Sequence, residues 1–484
     1  MMKSSVVDRN TLENRRGRYL SISAVFPLTA IVLAVLLGGV FGTLDASWSA
    51  FVIGAIIMGG VVILRQDELA VTMIVATHLY VDWYLGLHLV ALLMALIVLL
   101  MFFLMRSSTH PWVGPSSLWL WALFLVLPIF PAIGGALTSY DAATFYPGNI
   151  LGAFMMYWLG VVIARNIACV RRFFKIFALL GALLAIHTII QATTGTALFA
   201  SDRISAVLAS VSNYQLLGSD ASRASSFFVN PDWNGAFFAM TVFLPFGLFV
   251  ESSSLLEKGL YLVEIAFILP ALLFTYSSGA WISVAVTAIV FTVFVGRARY
   301  RILLSIMSII IAVVMMVMFP SQIDLQLRHA SNPTEVSLRV GAWQTAMHVI
   351  QAFPLTGVGL GYRAYSLYAE PYRVPAQYIP LAHPHNSYLE LGAMAGLPVL
   401  CVFIALLLFT LWQSWRNWLL LDSSARSLLC AGISTVIALS INSLSVNGWT
   451  LPPLAAIGWL MLGIISSPLL TRKHHKETAA EKSS

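Results

Sequence analysis

Charge is the scarcest commodity in this sequence. Asp, Glu, Lys and Arg together make up 10% of the 484 residues, against about 25% in an ordinary soluble domain. A water-soluble enzyme or a nucleic-acid binder of this length needs far more charge to cover its surface. Cysteine is almost absent. The 3 cysteines, Cys169, Cys401 and Cys430, have no paired spacing, so neither a disulfide framework nor a zinc site is implied. What is abundant is apolar. Hydrophobic residues reach 59%, and the mean hydropathy is +0.86. The solvent for this chain is a bilayer.

A helix needs about 20 apolar residues to cross the hydrocarbon core. Spans are read near 21–41, 48–64, 69–84, 87–105, 117–137, 149–164, 174–193, 234–250, 260–276, 279–295, 302–319, 390–412, 427–447 and 450–467. The runs 69–105 and 260–295 exceed one crossing and are split at Asp82–Gly86 and Ser277–Gly279. The expected fold is an all-α polytopic integral membrane protein with 14 spans, or 12 if neighbours merge. A basic N-terminus (1–20) leads into a first bundle (21–193) and a long loop (194–233). Further spans (234–319), a second long loop (320–389), the last spans (390–467) and a basic tail (468–484) follow. The first apolar run is too long for a signal peptide and no convincing Ala-x-Ala site follows it, so it reads as an uncleaved anchor.

Lysine is missing from one side of this map. With both termini inside, all but six of the 27 Lys and Arg residues fall on the inner face, as basic residues flanking spans do. The six are Arg203, Arg223, Arg328, Arg339, Arg363 and Arg373, all in the two long loops. An outer face with arginine and no lysine points to a local anion site, because the planar guanidinium matches phosphate oxygens two at a time. The plainer alternative is that each arginine pairs with a neighbouring acid.

The second long loop carries a helix signal. Asn332-Pro333-Thr334-Glu335 reads as a capped start, Val340, Trp343, Met347 and Ile350 recur as one apolar face, and Pro354 stops the run. This amphipathic helix is expected on the membrane surface or against the bundle. Gly357-Val358-Gly359-Leu360-Gly361 lacks the context of a dinucleotide fingerprint and reads as a flexible turn or a close approach to a ligand. Then comes His383-Pro384-His385-Asn386-Ser387-Tyr388-Leu389-Glu390. Pro384 suits a first helical position, which puts His385 in the first turn, where the helix dipole disfavours imidazolium. His385 is then a neutral base, with Asn386 and Glu390 one turn apart. The alternatives are a plain helix start and, more weakly, a two-ligand fragment of a metal site that no Cys or acid cluster completes. Asp82, His187 and Glu264, at membrane depth, are further functional candidates.

These residues resemble the O-antigen ligase and O-antigen polymerase superfamily, which includes exopolysaccharide polymerases and bacterial protein O-oligosaccharyltransferases. The pattern is an Arg, a Trp a few residues on, Pro-Leu-x-Gly-x-Gly, then His-Asn with an aromatic and Leu. Here that is Arg339, Trp343, Pro354, Leu355, Gly357, Gly359, His385, Asn386, Tyr388 and Leu389. The patch Arg223–Gly235 is similar to a second family segment. Ser277-Ser278-Gly279 departs from it, since the family often has Ser-Arg-Gly there. The resemblance implies a glycosyltransferase of the bacterial inner membrane with an extracytoplasmic site. It would transfer a glycan from undecaprenyl pyrophosphate to another lipid-linked repeat (polymerase, the preferred reading) or to lipid A–core (ligase), within reach of a flippase and a chain-length regulator. His385 would take the acceptor's proton and Arg339 would steady the leaving pyrophosphate. Arg223, Arg203, Arg363, His383, Asn386 and Glu390 would bind substrate. No cofactor, metal or nucleic acid is expected. The reading from another class is a lipid-linked oligosaccharide flippase, disfavoured because the unusual residues sit in loops and the halves look unlike each other.

Overall fold

The computed structural model describes residues 68–69, 71–72, 75, 116–138, 144–195, 223–228, 230–295, 298–374 and 383–471. The chain divides into the units Met1–Ala70 and Val71–Ser484, and every element below belongs to the second. Apart from residues 69, 71–72 and 75, the four spans expected between 21 and 105 lie outside the described residues, as do Asp82, Arg203 and the tail after Thr471.

The described residues are helical, with no strand among them. They comprise α1 (Leu118–Val126), α2 (Ile129–Ala136), a π-turn (Tyr146–Leu151) entering α3 (Gly152–Ile163), and α4 (Ile167–Thr194). After a 3-10 turn (Ser226–Phe228) come α5 (Pro231–Thr241), α6 (Phe243–Glu251), α7 (Leu255–Phe274), α8 (Ser278–Phe294) and α9 (Ala298–Met318). Then follow α10 (Pro320–Ala330), α11 (Pro333–Ala352), α12 (Tyr362–Ala369) and α13 (Ser387–Ala395). The last three are α14 (Leu397–Leu420), α15 (Ser423–Asn442) and α16 (Pro452–Ser466).

Among the described residues, seven helical stretches are long and apolar enough to cross a membrane: Leu118–Ala136, Tyr146–Ile163, Ile167–Thr194, Pro231–Glu251, Arg299–Met318, Leu397–Leu420 and Ser423–Asn442. Ser278–Phe294 and Pro452–Ser466 are shorter apolar helices. α7 coincides with the expected span 260–276 but starts earlier and carries Glu257, Lys258 and Glu264. The expected span 390–412 is two helices. α13 stops at Ala395 and α14 starts at Leu397, because Gly396 sits at φ +86 between them.

The core is built by close approach. In lipid, helices gain nothing from apolarity alone and associate where small residues let backbones meet. α3 and α16 show this. A Cβ on Gly160 would lie 2.1 Å from the Leu460 carbonyl oxygen, and one on Gly463 would lie 1.9 Å from that of Tyr157. Beside this contact Trp121, Trp449 and Trp459 pack ring to ring, with Trp121 and Trp459 4.9 Å apart. Tyr157 reaches both Ser117 and Ser466 through its hydroxyl.

Two ion pairs tie α4 to the helices beside it. Arg171 bonds Glu251 at the end of α6, and Lys175 bonds Glu257 at the start of α7 at 2.7 Å. Gln191, twenty residues or about 30 Å further along α4, accepts the backbone N–H of Ser226. The basic end of the bundle and the end carrying the candidate site are therefore a membrane thickness apart.

The segment 320–389 is not a loop with one helix in it. Among its described residues it is mostly helical. α11 starts as expected, with the Asn332 side chain accepting from the Thr334 N–H at 3.0 Å. Its inward face differs from the expected stripe. Ala342, Thr345, Ala346 and Val349 are buried, while Val336, Val340 and Met347 are exposed. Small residues turn inward because α11 packs against α13, and the larger apolar ones face away from the protein.

Candidate active site

Arg223 is held from three directions. His187 Nδ1 lies 2.8 Å from Ser226 Oγ and its ring stacks on Phe227 at 4.2 Å, while Gln191 takes the Ser226 N–H. Asn234 donates to the Ala224 carbonyl at 3.2 Å. His187, a functional candidate by sequence, thus clamps the Arg223 segment onto α4.

Arg223 itself is buried. Its Nε donates to the Thr275 carbonyl at 3.0 Å and its Nη2 to Asp232 Oδ1 at 2.6 Å. Asp232 opens α5, where Asn230 caps the helix by accepting the Asp232 N–H. The other Asp232 oxygen lies 3.8 Å from Arg339 Nη2. One carboxylate therefore gathers two guanidiniums from segments more than a hundred residues apart. Two positive charges against one negative leave this spot net cationic, and Arg339, with its looser pair and partly exposed side chain, has the freer guanidinium.

The other arginines that the sequence map places outside behave differently. Arg328 pairs with Asp324 one turn away at 2.9 Å, and Arg373 pairs with Glu370. Arg363 is exposed on α12. Local pairing explains Arg328 and Arg373; convergence on a shared carboxylate distinguishes Arg223 and Arg339.

The His-Pro-His-Asn stretch also differs from its sequence reading. α13 begins at Ser387, not at Pro384, and Asn386 is its N-cap, accepting the N–H groups of Tyr388 (3.0 Å) and Leu389 (3.1 Å). Asn is among the best N-caps, and a start at Pro384 would have left that position to His383. The Asn386 amide also donates to the Leu444 carbonyl, so its side chain is engaged within the fold. His385 stands before the cap with φ 49, a left-handed conformation. Its backbone N–H donates to His383 Nδ1 at 3.3 Å, and the two rings lie 4.1 Å apart.

His385 is held neutral, for a reason other than the helix terminus. Burial lowers its pKa to about 4, helped by the Arg339 charge and opposed by Asp232. His383 is also pushed well below its usual value, first by burial and then by His385. Fully buried Glu390 lies outside the spans on α13, with Oε2 3.5 Å from His383 Nδ1. Burial pushes its pKa up to about 8, so at neutral pH it holds a proton and is no base.

The glycine run approaches the protein's own backbone, not a ligand. Gly357, Gly359 and Gly361 all have positive φ. A Cβ on Gly357 would lie 2.4 Å from the Met394 carbonyl. Val358 and Gly359 donate to the Ala393 and Met394 carbonyls at 3.0 Å, and Leu360 donates to that of Pro131. The run straps the end of α11 to the end of α13, which fixes Arg339 relative to His385. Where the family often has Arg, Ser278 Oγ accepts from Gln326 of α10 at 2.8 Å. Beside the site an apolar cavity of about 780 Å³ opens among α6, α7, α8 and α9, lined by Phe243, Leu272, Leu273, Trp281 and Met315 among others. Leu272 and Leu273 lie three and two residues before Thr275, the residue whose carbonyl holds Arg223.

Sequence reasoning missed Asp232, Tyr362 and Asn447, whose Nδ2 donates to the Tyr362 hydroxyl at 3.0 Å. Tyr362 packs on His383, with ring centroids 5.3 Å apart. Asp232 was legible as an acid nine residues from an Arg in a family-like patch. Nothing local marked the other two.

The helices and their apolar lengths define a polytopic membrane protein whose candidate site joins an arginine pair to a neutral histidine. Residues 265–404 match the family model described as O-antigen ligase, a segment that includes Arg339, Trp343, the Gly357–Gly361 run, His385 and Asn386. The resemblance to the O-antigen ligase and polymerase superfamily is shown over that segment, and it supports a function of ligase or polymerase type. Arg223 and Asp232 lie before it. No curated protein matches the chain.

Proposed function

We propose that the protein transfers a glycan from undecaprenyl pyrophosphate to an acceptor hydroxyl on the outer side of the inner membrane, as a polymerase of O-antigen or exopolysaccharide repeat units. The observation that carries this is the shared carboxylate of Asp232, which sets Arg223 and Arg339 beside neutral His385. The acceptor oxygen attacks the anomeric carbon while His385 takes its proton, and the bond from that carbon to the pyrophosphate oxygen breaks. Arg339 meets the charge that develops on the leaving pyrophosphate, the kind of stabilisation that contributes most in a water-poor site. The polyprenyl tail fits the apolar cavity among α6, α7, α8 and α9.

The low basicity of His385 has a role in this scheme. Arg339 helps keep it low. A pyrophosphate placed against Arg339 cancels that charge, so the base strengthens when the donor is bound. Asp232 keeps the empty site from carrying two uncompensated cations. The glycan rests on α10 to α12, and Arg363, exposed on α12, faces the same solvent.

The test uses purified protein in detergent with undecaprenyl-pyrophosphate-linked repeats as donor, without ATP and with EDTA. Offered lipid-linked repeats and lipid A–core in separate arms, the protein should extend the repeats; glycosylation of lipid A–core alone would make it a ligase. His385→Asn should fold and lose transfer by roughly 10²–10⁴-fold. No product in either arm, or a fully active His385→Asn with an unchanged pH profile, would end the proposal. For sidedness, cysteines placed in 320–389 should react with an impermeant maleimide on spheroplasts while those placed in 165–175 do not.

A further inference from the structure

The sequence reads 427–447 and 450–467 as two spans joined at 448–449, but in the structure α15 ends at Asn442 and α16 starts at Pro452, which leaves a turn over 443–451. In the structure it is a buried polar hub. The Ser443 carbonyl accepts the Ser387 N–H at 3.0 Å, the Leu444 carbonyl accepts from Asn386 Nδ2 at 3.1 Å, and the Trp449 N–H donates to Ser387 Oγ at 3.0 Å. The turn thereby holds the start of α13, immediately after His385.

Asn447, at the middle of this turn, is 1% exposed. Its Oδ1 accepts from Trp233 Nε1 at 3.0 Å and its Nδ2 donates to the Tyr362 hydroxyl at 3.0 Å. An indole N–H can only donate, so the amide oxygen must face Trp233 and the amide nitrogen must face Tyr362. Tyr362, having accepted that bond, sends its own proton to the Thr450 carbonyl at 3.2 Å. Trp233 is the neighbour of Asp232, which gathers the two arginines. The Tyr362 ring packs on His383, and His383 packs on His385. One side chain thus lies between the anion-holding half of the site and the histidine half.

We propose that Asn447 is a positioning residue for the transfer: it sets the separation between the pyrophosphate held by the arginines and the base at His385. This rests on the transferase reading above. A misplacement of about 1 Å between reacting groups can cost roughly 10²-fold in rate, so Asn447→Leu should lower kcat by about that factor and leave the donor KM within about twofold.

Leu at 447 also strands a buried indole N–H and a buried phenol, which by itself threatens folding. The triple variant Trp233→Phe, Tyr362→Phe, Asn447→Leu removes all three polar groups together, which can be nearly neutral in stability. The triple should recover the melting temperature of the wild type and keep the low kcat. Recovery of kcat along with stability would show that Asn447 only holds the fold together, and an Asn447→Leu protein with wild-type kcat would refute the proposal outright. A second arm needs no turnover. In histidine-labelled protein the His385 ring signal should shift on Trp233→Phe when Asn447 is present, and should not shift on the same change in the Asn447→Leu background. If the wild type transfers no glycan, the transferase reading falls and the link is judged by this signal alone. A His385 signal indifferent to Trp233→Phe then overturns the link too.

Discussion

The two arginines that look alike in the sequence should fail in different ways. Arg223 is buried, 2.6 Å from Asp232, with its Nε on the Thr275 carbonyl. Replacing it with Leu leaves the Asp232 carboxylate enclosed with a single cationic partner, Arg339 at 3.8 Å. Breaking a buried pair from one side costs about 3–5 kcal/mol, whereas replacing both members with apolar residues is often neutral. Arg223→Leu should therefore melt far below the wild type, and Arg223→Leu with Asp232→Leu should recover most of the loss without recovering transfer. Arg339 is partly exposed and loosely paired, so Arg339→Lys should cost less than about 1 kcal/mol in stability. It should still lose nearly all transfer, because a lysine cannot grip two phosphate oxygens in one plane. Thermal unfolding in detergent and the transfer assay, run on the same preparations, read both quantities. An Arg223→Leu protein as stable as wild type would refute the buried-pair argument. A fully active Arg339→Lys would refute the two-pronged hold.

Three further outcomes are expected. The acid limb of kcat/KM reports the free enzyme and that of kcat the bound one; with His385 lowered to about 4 by burial and Arg339, the kcat/KM limb should lie well below 6.5, and the kcat limb should lie above it because the bound pyrophosphate offsets Arg339. Coincident limbs would remove the donor-strengthened base. Glu390 is raised by burial to about 8 from 4.5, so the folded state holds the extra proton between those values, and its stabilising contribution, complete below 4.5, falls as pH rises and is gone once pH passes 8; unfolding measured from pH 5 to 8 should show a decline that Glu390→Gln reduces. Gly357→Ala, at φ +61 and with its Cβ driven to 2.4 Å from the Met394 carbonyl, should destabilise the protein by more than about 1 kcal/mol, while Gly148→Ala, which meets nothing within 4 Å, should not.

Much of this protein could be read from local sequence because its strongest constraint is local. Scarcity of charge together with apolar runs of about 20 residues determined the helical, membrane-spanning class, and the described helices fall at or overlap the expected spans from 117 to 467. The split at Ser277–Gly279 was legible for the same reason, since polar residues between two apolar runs must turn. The capped start of α11 at Asn332 was legible because a cap is a bond between near neighbours. His385 was singled out by the His-Pro-His-Asn stretch and Arg339 as one of six arginines on an outer face without lysine, and a family pattern then joined the two. Tertiary structure alone decided the rest. Which arginines converge depended on Asp232 joining residues from different segments, and no spacing rule separates such a partner from an acid that pairs one turn away, as Asp324 does with Arg328. The start of α13 moved from Pro384 to Ser387 because Asn386 both caps that helix and reaches the Leu444 carbonyl, so the distant turn shares in setting the boundary. The neutrality of His385 was expected from a helix dipole and is produced by enclosure and the Arg339 charge. Asn447 stands 214 residues from Trp233 and 85 from Tyr362, and an amide in a short polar turn has no local property that reveals it. Helix formation in lipid is a property of a segment, whereas a site made where several helix ends meet is a property of how the segments pack.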